Sequence, residues 1–282
     1  LVEHALARHY PTVDRQGSAA LALLDAVTAA QAELVARWLG VGFIHGVMNT
    51  DNMTISGETI DYGPCAFMDE FNPDTVFSSI DRNGRYAFAE QPKIAQWNLI
   101  RLAESLLALI DSDETAAIEQ AQASVSRFAS LFSAAWRRIA LAKIGIAAHR
   151  DDDMALVQDL LETMHREGLD FTNTFRSLVA LVELTDRGGI PGDWAQRWRE
   201  RIENEPGGAQ AARVLMLAAN PQVIARNHQV EHALATAATG DHAPFQRLVA
   251  ALADPYGERA DRAWLMMPPA AHERVEATFC GT

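Results

Sequence analysis

The sequence has little positive charge. Only two of its 282 residues are lysines, Lys93 and Lys143, and 24 basic residues against 37 acidic ones give a formal net charge of -13. A nucleic-acid-binding surface needs closely spaced cations that release counterions from phosphates, and no block of lysines and arginines of that density occurs. We therefore expect no nucleic acid among its partners.

Cysteine is equally scarce. Two residues, Cys65 and Cys280, are too few for a disulfide scaffold or a multi-cysteine zinc ribbon. The simplest interpretation is two unrelated thiols in a reducing bacterial cytoplasm, and one bridge between them stays open as the alternative.

Long apolar runs are missing too. Stretches such as residues 19–30 are interrupted by polar residues before the ~20 that cross a bilayer, so we expect no membrane span and no membrane partner. The chain starts at Leu1 and Val2, without an initiator methionine or a cationic leader, and we expect that residues upstream have been cut away. With 49% hydrophobic and 22% charged residues, the composition is that of a folded globular protein.

Apolar residues recur at helical spacing through most of the chain. The predicted helices cover residues 16–39, 93–110, 115–145, 153–168, 172–185 and 193–204. We expect Gly168 to end one helix and Thr172 to cap the next. The predicted fold class is mainly α, with a small β component (α+β).

The β component is predicted between two of these helices. Residues 52–56 and 58–63 alternate in polarity and meet at Gly57, which supplies the positive φ of a tight turn, so we expect a β-hairpin. From Pro64 to Pro92, single aromatic residues stand among Gly, Pro, Asp and Asn. That composition predicts a long ordered loop without regular elements, and such loops are usually functional.

Candidate metal ligands flank this hairpin. Asn52 precedes it and Asp61 follows it. In kinase-type phosphate transfer, a loop Asn and a later Asp bind the same Mg²⁺ and, through it, the nucleotide phosphates. One carboxamide and one carboxylate suit Mg²⁺ or Mn²⁺.

The residues before Asn52 depart from the kinase pattern. Small-molecule kinases that resemble protein kinases have HGD here, followed five residues later by Asn, but this chain has Val47 after His45-Gly46. Valine cannot accept a proton, whereas Asp51, next to Asn52, can. Either catalysis is lost or Asp51 is the base of a different reaction. Ordinary turn chemistry, with His45 as a buried hydrogen-bonded residue, is the alternative.

Longer stretches resemble the selenoprotein O family, a kinase-like group of bacteria and mitochondria. The resemblance is carried by HGVMNTDNMTISGETIDYGPCAFMDEFNP from His45, GRYAFAEQPKIAQWNLIRLAESL from Gly84, residues 170–176, Asn220-Pro221, Arg226-Asn227, residues 254–256 and the final Cys280-Gly281-Thr282. It extends through essentially the whole chain.

This resemblance implies a protein kinase-like fold and a protein adenylyltransferase. Such an enzyme moves AMP from ATP to Ser, Thr or Tyr hydroxyls of other proteins, with the nucleotide turned around relative to a kinase. Carried over by position, Asp51 is the proton acceptor, Asn52 and Asp61 bind the metal, and Asp61 also contacts the nucleotide through it. The resemblance also implies a redox-regulated disulfide between Cys65, where the activation segment starts, and Cys280.

One part of the family pattern has no counterpart here. Neither a glycine-rich loop nor a phosphate-binding lysine with its glutamate partner occurs, so the N-terminal lobe is expected to be absent and the chain alone inactive. The expected organisation is a kinase-like C-lobe over residues 1–114 and a helical C-terminal region over 115–282. The competing hypothesis is a pseudokinase-like helical interaction module without catalysis.

Two other polar groups fit simpler roles. His228 and His232 have i, i+4 spacing but lack the HExxH order and a third ligand, so we expect exposed helix residues. Residues 151–153, three consecutive aspartates, are expected to be solvated and to complement a helix dipole.

Overall fold

The computed structural model describes residues 1–182 and 190–279, and this part of the chain is mostly helical with one small antiparallel sheet. The elements are α1 (Val2–His9), α2 (Ala19–Gly40), β1 (Phe43–Ile44), β2 (Ala66–Phe67), α3 (Gln91–Ile110), α4 (Glu114–Lys143), α5 (Asp153–Glu167), α6 (Phe171–Leu181), α7 (Gly192–Glu203), α8 (Gly208–Ala219), α9 (Asn227–Ala238), α10 (Ala243–Leu252) and α11 (Ala263–Met266). The mainly α prediction is confirmed. The kinase-like C-lobe stays a prediction.

Capping side chains determine where the predicted helices begin. Ser18 accepts a hydrogen bond from the Leu21 N–H at 3.3 Å and Asp113 accepts one from Ala116 at 3.0 Å, which starts α2 and α4. The prediction that Thr172 caps α6 is wrong, because Asp170 accepts from the Asn173 N–H at 2.7 Å. Residues 183–185 of that predicted helix lie outside the described residues.

Three long helices pack together around a first hydrophobic core. The buried residues of α2 contact α3 and α4 through side chains such as Leu24, Leu99 and Phe128. By length and composition alone, α2 could also cross a membrane, which the sequence analysis did not expect, and half of its apolar window is buried in this packing. The division at residue 114 stays a prediction, and it separates α4 from the helices on which it packs.

A second core joins α4 to α8 and the segment after β2. Phe71 stacks on Phe171 with ring centroids 5.8 Å apart. Trp194 and Trp198 stack at 5.6 Å, and their indole N–H groups donate to backbone carbonyls of Leu156 and Ile144. A smaller core lies among α9, α10 and α11. These contacts anchor the start of the 64–92 segment to the C-terminal helices.

The β structure is shorter than expected. In place of the predicted hairpin, one isolated antiparallel bridge joins Met53 to Thr59, and the two-stranded sheet pairs Phe43 with Phe67 and Ile44 with Ala66. The expectation that residues 64–92 hold no regular element is therefore wrong at β2. Two-residue strands leave too few positions for an alternating pattern to be visible in the sequence.

Asp153 also differs from its prediction. Asp151 and Asp152 are exposed, but Asp153 is buried and binds the Arg201 guanidinium at 2.6 Å. Burial alone would raise the pKa of Asp153, and the hydrogen bonds from Arg201 and the Arg150 backbone outweigh it and lower that pKa. The carboxylate therefore ties α5 to α7.

Candidate functional site

A buried histidine holds the two ends of the candidate site together. His45 is fully buried, its Nδ1 accepts from the Val47 N–H at 3.4 Å, and its Nε2–H therefore donates to the Ile60 carbonyl at 2.8 Å. Burial lowers the pKa of the imidazole, against the opposing effects of the Ile60 bond and the Asp61 charge. His45 is thus a neutral structural link between the loop and the residue before Asp61, as the turn-chemistry alternative predicted for this side chain.

Gly46 is required by a close backbone contact. Its φ is +82°, and a Cβ at this position would come within 2.9 Å of the Pro64 carbonyl oxygen. Any other residue would push residues 45–47 away from the segment that carries Cys65.

Val47 is buried, and its backbone orients Asn52. The Asn52 Nδ2 donates to the Val47 carbonyl at 3.0 Å, and no described residue donates a hydrogen bond to Asn52 Oδ1. The carboxamide is therefore fixed with its oxygen available to a ligand.

Asp51 shares a 3-10 turn with Asn52, over Thr50–Asn52. The turn is closed by the Asn52 N–H on the Asn49 carbonyl at 3.0 Å. The Asp51 side chain is exposed, and within the described residues its carboxylate forms neither a hydrogen bond nor an ion pair. An exposed, uncommitted carboxylate is free to accept a proton from a molecule that approaches the turn.

Side chains of α2 and α3 hold the backbone on either side of this turn. The Gln31 Nε2 of α2 donates to the Thr54 carbonyl at 2.6 Å, and the Asn98 Nδ2 of α3 donates to the Met48 carbonyl at 2.9 Å. Both side chains are buried. The position of the turn thus depends on the packing of α2 and α3.

Asp61 is the one non-glycine residue with positive φ in the described part of the chain, at +55°. L-residues other than Asn and Asp rarely adopt this conformation, and such outliers cluster at functional sites. Its side chain is exposed and accepts only the Gly63 N–H, at 3.3 Å on Oδ1. The other carboxylate oxygen has no protein donor among the described residues.

The chemistry of Asn52 and Asp61 fits a hard divalent cation. One carboxamide oxygen and one carboxylate oxygen are uncommitted, and the isolated Met53–Thr59 bridge pairs the residue after Asn52 with the residue two positions before Asp61. The described residues contain no group of three His, Cys, Asp or Glu side chains that could hold a metal. The remaining ligands of such a cation would come from phosphate and water.

His228 and His232 both lie on α9, as expected, and His232 is exposed. The expectation that His228 is also exposed is wrong, because its side chain is half-buried.

Cys65 is a free thiol, half-buried, and its Sγ–H donates to the Tyr62 carbonyl at 3.2 Å. Burial raises the pKa of this thiol to about 11, with a smaller contribution from the nearby Asp61 charge and against the lowering effect of a backbone hydrogen bond. Cys280 lies outside the described residues.

Sequence reasoning missed two long-range contacts near the site. Thr278 pairs with Ser78 in a parallel bridge, and its hydroxyl donates to the Pro64 carbonyl. Arg226 forms ion pairs with Asp69, shortly after β2, and with Asp170. In both contacts the residues are far apart in sequence. The one available signal concerned the second contact, because Arg226 and Asp170 lie in segments that carry the resemblance to the selenoprotein O family.

Comparisons with known proteins show what the whole chain is similar to. The sequence profile of the family described as Protein adenylyltransferase SelO matches residues 1–253. A protein from Methylorubrum populi named Protein nucleotidyltransferase YdiU is 48% identical over the whole chain, and proteins of the same name from Methylorubrum extorquens and Jannaschia sp. are 50% and 49% identical. The chain spans about 60% of the length of these relatives.

Proposed function

This chain belongs to the protein adenylyltransferase SelO family, and on that basis we propose that it is the C-terminal part of a protein adenylyltransferase. The parent protein would transfer AMP from ATP to Ser, Thr or Tyr hydroxyls of other proteins in the bacterial cytoplasm. The observation that carries the proposal is the pair of uncommitted oxygens, on Asn52 and Asp61, fixed at the two ends of a segment that His45 ties together.

Asp51 is the proposed proton acceptor. The substrate hydroxyl oxygen attacks the α-phosphorus of ATP, the bond between the α-phosphorus and the bridging oxygen breaks, and pyrophosphate leaves. The hydroxyl proton passes to the Asp51 carboxylate. Support comes from its exposure and from the position of Val47, which is buried and cannot serve as a base.

Asn52 and Asp61 are the proposed ligands of Mg²⁺ or Mn²⁺, and Asp61 would contact the nucleotide through the metal. The bound cation would offset negative charge on the phosphate oxygens. The protein's own contribution is orientation, because the Val47 carbonyl fixes the Asn52 amide and the positive φ fixes the direction in which the Asp61 carboxylate points.

The chain alone is proposed to be inactive. Its relatives are longer, and neither of its two lysines fits a phosphate-binding role. Lys93 is exposed on α3 and pairs with Glu90 at 2.9 Å, whereas Lys143 is fully buried at the end of α4. The same proposal assigns the nucleotide-binding lobe to the parent protein. It divides this chain into a kinase-like C-lobe over residues 1–114 and a helical region over residues 115–282.

Redox control through Cys65 and Cys280 is a further element of the proposal. The Thr278 hydroxyl donates a hydrogen bond to the Pro64 carbonyl, and this bond holds residue 278 next to the residue before Cys65. A disulfide between them requires Cα atoms within about 7 Å.

Label transfer in the parent protein tests the proposed activity. Label from α-labelled ATP should enter protein and label from γ-labelled ATP should not, and Asp61→Ala should abolish incorporation. Asp74→Ala is the matched control, since Asp74 is an exposed carboxylate in the following segment with no assigned role. Incorporation only from the γ position would make the parent a kinase and refute the proposal.

The second candidate function is a helical interaction module that has lost catalysis, which the buried Val47 favours. A thermal shift of the parent with Mg²⁺-ATP separates the two. A rise in melting temperature that requires intact Asn52 and Asp61 supports the enzyme, because only a ligand bound to the native state stabilises it. No rise supports the module.

A further inference from the structure

A second pocket lies away from residues 45–65, between α6, α8 and the chain around residues 258 and 266–268. Its volume is about 680 Å³, within the range of about 300–1,000 Å³ typical of small-molecule sites. None of its lining residues belongs to the candidate catalytic turn. Its contents are unusual for a protein of net charge -13, because two arginines face one carboxylate.

Arg176, on α6, is the buried cation of this pocket. Its side chain is 8% exposed, and its Nη1 donates to the Asn220 carbonyl at 2.8 Å. Its Nη2 lies 3.4 Å from the Glu258 carboxylate and forms no hydrogen bond with a described residue. Burial lowers the pKa of this guanidinium, against the effect of Glu258. A buried guanidinium nitrogen without a hydrogen-bond acceptor is costly, so an acceptor from a ligand or from water would stabilise this atom.

Arg213, on α8, is the second cation. Its Nη2 lies 3.6 Å from the other oxygen of Glu258, and the Glu258 side chain is 54% exposed. Both separations are longer than the 2.7–2.9 Å of a charge-assisted hydrogen bond. Glu258 is therefore a loosely held, solvent-screened counterion for two arginines, and the pocket keeps one unit of positive charge.

The rest of the wall combines apolar surface with one unpaired acceptor. Met267 is 64% exposed, and Met266 and Pro268 lie beside it. The Asn173 Nδ2 donates to the Met266 carbonyl at 2.9 Å, which leaves its buried Oδ1 without a donor among the described residues. Flexible methionines next to a cationic pocket provide an adaptable surface for an apolar ligand body.

We propose that this pocket binds a small organic anion. The anionic head, a carboxylate or a phosphate ester, lies between Arg176 and Arg213 and supplies the acceptor that Glu258 provides only loosely. The apolar body covers Met266 and Met267. Guanidinium groups bind both kinds of head by paired N–H donors, so carboxylate and phosphate ester are one recognition chemistry.

Isothermal titration of the 282-residue chain with octanoate tests this assignment. The neutral analogue 1-octanol and inorganic phosphate are the comparison probes, and both should bind at least about tenfold more weakly than octanoate, since the first lacks the charge and the second the apolar body. Equal affinity for octanoate and 1-octanol would overturn the anion site. Equal affinity for octanoate and phosphate would overturn the role of the methionines.

Two substitutions give effects of opposite sign. Arg213→Gln removes a cation and should weaken octanoate binding about tenfold or more, whereas Glu258→Gln removes the competing carboxylate and should strengthen it. Arg197→Gln is the control, because Arg197 pairs with Asp159 outside the pocket and should leave the affinity unchanged. Unchanged binding in Arg213→Gln, or weaker binding in Glu258→Gln, would assign these residues a purely structural role and refute the proposal.

Discussion

Arg226 and Asp69 form an ion pair that joins the N-cap position of α9 to the segment just after β2. Arg226 is fully buried, and the same Nη1 lies 2.8 Å from Asp170, the cap of α6. Burial raises the pKa of Asp69 although the Arg226 charge opposes it. Three elements that are distant in sequence therefore meet at one guanidinium, close to the segment that carries Cys65.

Removal of this guanidinium should destabilise the fold. Arg226→Leu leaves two carboxylates poorly solvated and unpaired, and we expect the free energy of unfolding to fall by about 3–5 kcal/mol, measured by urea denaturation. Arg274→Leu is the control, because Arg274 forms an exposed ion pair with Glu70, the residue after Asp69. Its replacement should lower the free energy of unfolding by no more than about 1 kcal/mol. Equal losses in the two variants would show that the buried pair has no special weight.

Prediction from the sequence succeeded for interactions between residues close along the chain and failed for ion pairs between distant residues. Helices such as α2 and α4 were predictable because periodicity and a capping side chain lie within a few neighbouring residues. Arg226, by contrast, meets Asp69 across 157 positions and Arg201 meets Asp153 across 48. Nothing in the local pattern distinguishes a buried partner from a solvated one, which is why Asp153 was assigned to solvent.

The candidate site shows the same division. The order of Asn52 and Asp61 along the chain was enough to suggest a metal site, because the residue types and their spacing carry the chemistry. The means by which they are oriented could not be read from the sequence, since the His45–Ile60 bond and the positive φ of Asp61 are properties of the folded backbone.

Lys143 should make stability depend on pH. Its Nζ donates to Asn220 at 2.9 Å and lies 4.2 Å from the centroid of the Phe175 ring, and burial lowers its pKa from 10.5 to about 7. Between these values the unfolded chain binds a proton that the folded chain does not. The stability linked to Lys143 is thus present above pH 10.5 and is lost as the pH falls towards 7.

Urea denaturation at pH 7.5, 8.5 and 9.5 measures this effect. The free energy of unfolding of the wild type, relative to Lys143→Met, should rise with pH by up to about 1.4 kcal/mol per unit. Lys93→Met is the matched control, since Lys93 is exposed and should keep the wild-type slope. Parallel pH profiles for the wild type and Lys143→Met would contradict a lowered pKa of Lys143.

Cys65 should react slowly with alkylating agents. Because burial raises its thiol pKa to about 11, only a small fraction is thiolate at neutral pH. Alkylation by iodoacetamide, followed by mass spectrometry, should be much slower than that of the same residue in the urea-unfolded chain and should accelerate up to pH 10. Rapid modification at pH 7 would show a low-pKa, reactive thiol.

Under an oxidant, peptide mapping that recovers Cys65 linked to Cys280 supports the proposed redox control, and recovery of both as free thiols contradicts it.

Asp61 allows backbone strain to be separated from chemistry. Asparagine tolerates positive φ at least as well as aspartate, whereas a β-branched residue does not. We expect Asp61→Asn to leave the free energy of unfolding nearly unchanged and Asp61→Val to lower it by about 1–2 kcal/mol. In the parent protein both variants should lose AMP transfer, because both lack the carboxylate proposed to bind the metal. If Asp61→Asn keeps full transfer, the carboxylate has no such role. If Asp61→Val is as stable as the wild type, the conformation at +55° is not a constraint of the fold.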